Sequence, residues 1–97
     1  MPAAYIIVDT LITNDVEMEK YKLLAKPLVE RFGGEYLARG GALVVKEDQL
    51  WSPTRLVLLR FPSMLQAQTF YDSPEYQQIL PISQACTKRS LVIFEGL

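Results

Sequence analysis

Six consecutive residues, Tyr71-Asp72-Ser73-Pro74-Glu75-Tyr76, place two phenols and two carboxylates between two apolar stretches. A carboxylate and a phenol so close together, Asp72 with Tyr76, can bind or deprotonate an organic substrate, with Tyr71 as a further ligand contact. The same run also reads as a well-made helix start. Ser73 is a good N-cap, Pro74 suits the first helical position, and Glu75 complements the positive end of the helix dipole. Asp9 and Arg39 stand out next, because a charge on an apolar strand is costly unless something pairs with it. Asp9 is in phase with Tyr5, Ile7 and Leu11, and serves either as a base or anchor or as half of a structural ion pair. Arg39 precedes Gly40-Gly41, where the missing side chains let a ligand approach, and its guanidinium can grip a carboxylate in a bidentate way. Arg60 is better read as structural. The candidate catalytic residues are thus Asp9, Asp72 and Tyr76, and the candidate ligand contacts are Arg39, Gly40 and Tyr71. No metal ligand is proposed.

Composition removes several chemistries. The 97 residues include no histidine, so a Ser-His-Asp or Cys-His site, a His-ligated haem or an imidazole-bound zinc cannot be built from them. No cofactor is expected, and acid–base work falls to Asp, Glu, Tyr, Lys or water. The net charge of −1, with no basic stripe, argues against nucleic acid as a partner. No apolar run approaches the roughly 20 residues that span a bilayer. The single cysteine, Cys86, has no thiol to pair with and no histidine to activate it, which fits a buried side chain and a reducing cytoplasm. Gly33-Gly34 and Gly40-Gly41 match no phosphate-binding loop.

The elements that must position these residues are legible as a single domain over 1–97. Residues 4–12 form an apolar, β-branched strand. Asn14 with Glu17 makes a capping box for a helix whose stripe is Tyr21, Leu24, Ala25, Leu28, Val29 and Phe32. Pro27 should kink or restart that helix, and Gly33-Gly34 should end it. A second strand runs over 35–38 and can resume over 42–46 after the glycines. A polar loop over 47–54 carries Trp51, which covers a pocket mouth or enters an interface, and a third strand follows over 55–61. Ser63 with Gln66 caps a short helix, Ser73-Pro74 starts another that stops or bends at Pro81, and a last strand covers 90–94.

Strand, helix, strand, strand, helical segment, strand is the order of a ferredoxin-like α+β domain, a split βαβ with a four-stranded antiparallel sheet. Helices then cover one sheet face. The other should alternate apolar with polar residues if it meets water, yet Ile6-Ile7-Val8, Leu56-Val57-Leu58-Leu59 and Leu91-Val92-Ile93-Phe94 do not alternate. A second copy is the economical cover, giving a homodimer with two sheets face to face.

These residues together resemble an uncharacterised bacterial family, the domain of unknown function 1330. The likeness rests on 5–9 (YIIVD), 33–41 (GGEYLARGG), 51–57 (WSPTRLV), 61–63 (FPS), 71–76 (YDSPEY) and 80–81 (LP). Arg60 departs from it, at a place where the family pattern leads one to expect an acid. The resemblance implies a dimeric α+β barrel and brings no established reaction. Similar barrels include cofactor-independent monooxygenases of polycyclic aromatics and isomerases of small lactones. The expectation is therefore a small cytoplasmic protein that binds or transforms a small organic acid or aromatic molecule between sheet and helices. The alternative is a structural or stress-related homodimer.

Overall fold

Asn14 has an extended backbone and its Oδ1 accepts from the Glu17 amide at 3.2 Å, so the first helix begins at the next residue. The computed structural model describes residues 2–97. It contains strand β1 (Ala4–Ile12), helix α1 (Asp15–Arg31), strands β2 (Glu35–Arg39) and β3 (Leu56–Phe61), helices α2 (Met64–Asp72) and α3 (Pro74–Cys86), and strand β4 (Thr87–Glu95). The strands lie in the order β2-β3-β1-β4 and every neighbouring pair is antiparallel. This is the ferredoxin-like arrangement.

Three local expectations are corrected. Helix α1 continues through Pro27 without a restart, and α3 continues through Pro81 without a stop. Both prolines are exposed, while Ala25, Val29, Leu80 and Ser83 on the buried sides hold the helices to the rest of the molecule. Tertiary packing outweighs the local proline cost, as it does for most helices. Leu24 leaves the apolar stripe and is 47% exposed, and Met18 takes a buried place instead. Residues 42–46 form no strand: the pairing of β2 with β3 ends at Arg39, opposite Val57. Gly33 ends α1 at φ +90°, a left-handed value that suits glycine, and the Gly34 amide closes the turn on the Val29 carbonyl at 2.8 Å.

Alternation along the strands divides the sheet cleanly. Ile6, Val8, Val57, Leu59 and Phe61 point to the helices and pack with Ala25, Val29, Ala67, Phe70 and Tyr76 in one core. The other face carries Tyr5, Ile7, Leu56 and Leu58, and it leaves Leu11, Val92 and Phe94 between 42% and 54% exposed. Among the described residues no helix is long and apolar enough to cross a membrane.

Candidate functional site

At one end of the helix-facing side, the apolar rows give way to polar residues. Thr10 faces inward in phase with Ile6 and Val8, and it pairs with Arg89 on β4. On its other flank the Thr10 amide donates to the Arg55 carbonyl at 2.9 Å, placing Arg55 beside it in the same row. With strands about 4.8 Å apart, the two arginines root roughly 10 Å from each other with Thr10 between them. Above this row lie Tyr21 of α1 and Tyr76 of α3.

Tyr76 is aimed inward by the helix start that the sequence marks. The Ser73 hydroxyl accepts from the Tyr76 amide at 3.1 Å and donates to the Phe70 carbonyl at 2.8 Å. The Tyr76 ring then packs on Phe70 at 4.7 Å between centroids, and its hydroxyl meets the Tyr21 hydroxyl at 2.7 Å. Arg89 donates to Tyr76 Oη at 2.6 Å and to Tyr21 Oη at 3.3 Å, with its guanidinium 5.6 Å from the Tyr21 ring centroid. Burial, with Tyr21 alongside, pushes the Tyr76 phenol far above its ordinary value despite the arginine, so it is a neutral hydroxyl at physiological pH.

These groups line a cavity between sheet and helices with a free volume of about 50 Å³. Its walls are mainly apolar, from Ile6, Val8, Ala25, Val29, Val57, Leu59 and Phe70. Arg39, Arg55 and Lys22 complete the polar rim, with Tyr36 under Arg39 at 5.0 Å. Burial raises the Tyr36 phenol as well, against the pull of Arg39. The cavity can therefore present hydroxyl and guanidinium donors to an oxygen held among apolar walls. Among the described residues, no group of three or more Cys, Asp or Glu side chains is placed to hold a metal ion.

The residues singled out from sequence separate. Tyr76 and Arg39 line the cavity, and Gly40 flanks it. Gly40, at φ +70°, lies so close under the Arg55 guanidinium that a Cβ there would come within 2.5 Å of Arg55 Nε. Tyr71 packs beside Tyr76 with ring centroids 5.4 Å apart but lines a separate surface depression with Gln84 and Arg89. Asp72 is exposed on the outer side of the α2–α3 junction, with Leu65, Gln68 and Thr69. Asp9 points to the helix-free face and accepts from Trp51 Nε1 at 2.8 Å and from the Thr54 and Arg55 amides at 2.8 and 3.0 Å. Burial alone would raise its pKa, but those hydrogen bonds together outweigh it and hold the carboxyl below its ordinary 3.8. Asp9 is an anchor for the 51–55 segment, and Asp9, Asp72 and Tyr76 do not converge. Arg60 pairs with Glu35 at 3.5 Å, Glu75 pairs with Arg31, and Cys86 is buried with its thiol pushed up by burial.

Thr10, Tyr21, Arg55 and Arg89 were not singled out as site residues. A signal existed: Thr10, Arg55 and Arg89 are each the polar member of an otherwise apolar inward set, with Ile6 and Val8, Val57 and Leu59, and Leu91 and Ile93.

The fold and the site define a ferredoxin-like α+β protein with a small tyrosine–arginine cavity between its sheet and its helices. The chain belongs to the family described as domain of unknown function (DUF1330), whose model matches residues 3–97. Solved structures share the fold at low identity. A protein of unknown function from Rhodopseudomonas palustris aligns at TM-score 0.77 and 16% identity, over 99% of this chain and 83% of its own. SnoaB from Streptomyces nogalater, a cofactor-independent oxygenase, aligns at 0.66 and 9%, over 100% and 95%. A dimeric ferredoxin-like protein of unknown function from Thermobifida fusca aligns at 0.67 and 15%, over 98% and 92%. No curated protein is detectably similar to the chain.

Proposed function

We propose that this protein binds a small organic molecule in the cavity between sheet and helices, and that it does so as a homodimer joined through the helix-free sheet face. One observation carries the binding site: the Tyr21 and Tyr76 hydroxyls and the Arg89 guanidinium meet within otherwise apolar walls. A few convergent polar groups in an apolar pocket are what orient a small ligand. The shared fold with a cofactor-independent oxygenase supports an organic ligand. Oxygenase-like or isomerase-like turnover would rest on Tyr76, because Asp9 and Asp72 lie outside the cavity. The exposed apolar face, with Leu11, Val92 and Phe94, supports the dimer, as does the dimeric Thermobifida fusca neighbour. A cytoplasmic setting suits the lone buried thiol.

The second reading, a structural or interaction homodimer without a ligand, is favoured by the cavity's size. About 50 Å³ is well below the roughly 300–1,000 Å³ of most ligand pockets, so an occupant larger than a few atoms has to widen it. Amide NMR titration with a set of small aromatic and aliphatic compounds separates the two. Binding shifts the signals of Tyr21, Tyr76 and Arg89, and Tyr76→Phe weakens it. Signals that stay still across the set leave the structural reading. Sedimentation at micromolar concentration tests the dimer, which Phe94→Glu should split.

A further inference from the structure

The positive charge around the cavity is only partly balanced by protein. Lys22, Arg39, Arg55 and Arg89 all line it, and no Asp or Glu does. Lys22 is taken by Glu19 at 2.9 Å, on the outer turn of α1. Glu19 also feels Arg39 and Arg55, but among the described residues none of the three arginines has a carboxylate within ion-pair distance. Arg39 is exposed to water, which compensates it. Arg55 and Arg89 are both largely withdrawn from water, and a withdrawn charge needs a partner. The Tyr76 phenol beside Arg89 does not supply one, because it stays neutral.

Arg55 is the sharper case. Its Nη1 is buried and has no hydrogen-bond partner. The guanidinium lies close against Gly40, where no side chain displaces it, and the Arg55 backbone is anchored by its amide's hydrogen bond to Asp9. A donor fork with a spare, dry N–H suits an acceptor that the chain itself does not provide.

We infer that the cavity's ligand is an organic oxyanion, a carboxylate or the enolate or phenolate of an acidic aromatic, taken by the Arg55–Arg89 pair across Thr10. This rests on the small-molecule reading of the cavity and narrows its chemistry. The oxyanion meets Arg55 Nη1 on one side, and the Arg89–Tyr76–Tyr21 cluster donates on the other. The carbon part of the ligand faces Val8, Val57 and Leu59. Asp9 acts at one remove, as a positioning residue for Arg55, and Gly40 makes room for the guanidinium.

Amide NMR titrations with two matched pairs test this, benzoate against benzamide and propionate against propionamide. Each acid has nearly the shape of its amide and differs in charge. The anion of each pair should bind at least about tenfold tighter and shift Thr10, Arg55 and Arg89 signals, as charge-assisted hydrogen bonds require. Arg55→Met should abolish that preference by weakening the acid's binding far more than the amide's, and Arg55→Lys should restore only part of it. Equal binding of acid and amide in the cavity overturns the oxyanion while keeping the small-molecule site. Absence of binding by either member of both pairs overturns both. The comparison within wild-type protein decides the matter even where Arg55→Met fails to fold.

Discussion

Asp9 on β1 and Arg55, the residue just before β3, stand almost side by side and point to opposite faces of the sheet. Both are charged groups on apolar strands, and both are only partly exposed. Asp9 accepts three hydrogen bonds from one loop and is used up by them. Arg55, whose own amide supplies one of those bonds, keeps a buried Nη1 with no acceptor. Residue type and burial therefore do not separate a structural charge from a functional one. The count of unused donors and acceptors does, because a satisfied buried group gains nothing from a ligand while an unsatisfied one gains a whole hydrogen bond. The two faces differ in the same sense. The inner face ends in a row of donors around a cavity, and the outer face keeps its polar groups paired while leaving Leu11, Val92 and Phe94 without cover.

The largest test of this contrast compares Phe61 with Phe94. Phe61 is fully buried between sheet and helices, so Phe61→Ala should cost about 3–5 kcal/mol in urea unfolding. Phe94→Ala on the outer face should leave the dilute protomer's stability within about 1 kcal/mol and instead raise the concentration at which it dimerises. Similar losses at both positions would erase the distinction between the faces.

A middle-sized effect belongs to Asp9. Removing its carboxylate hands two exposed donors back to water and leaves the part-buried Arg55 amide without its acceptor, so Asp9→Ala should cost about 1 kcal/mol. The sign of its pH dependence follows from a folded-state pKa below the ordinary 3.8. The stabilisation is fully present above that ordinary value and fades as the pH falls through the lower folded-state value. The gap in urea midpoint between wild type and Asp9→Ala should therefore close in acid. A gap that persists at low pH would mean that Asp9 acts by packing and not by its charge.

The smallest effect is expected at Arg60, which faces the same side as Asp9. Its pair with Glu35 spans 3.5 Å with side chains 43% and 59% exposed, so Arg60→Gln should change stability by less than about 1 kcal/mol. It should leave benzoate binding untouched. A clear loss of binding would place an outer-face charge in the site and blur the contrast.

Much of the frame was legible in the sequence because its signals are local. Asn14, Ser63 and Ser73 cap the three helices as their side chains require, and Gly33 ends α1. The apolar runs of β1, β3 and β4 mark a sheet with two hungry faces. Pro27 and Pro81 do not interrupt their helices, because their penalty is local while the packing that outweighs it is not. The site was harder. The 71–76 run draws the eye through Asp72, yet its lasting contribution is Ser73, which turns Tyr76 inward and leaves Asp72 on the surface.

What the chain determined by itself is the order of elements, their caps and the inward or outward phase of each strand residue, since these depend on near neighbours and on a period of two. Only the tertiary structure decided that Arg55, Thr10 and Arg89, drawn from three strands far apart in sequence, fall in one row. Register between strands depends on the whole sheet closing together. The same closure gave Asp9 its three partners and left Arg55 Nη1 without one.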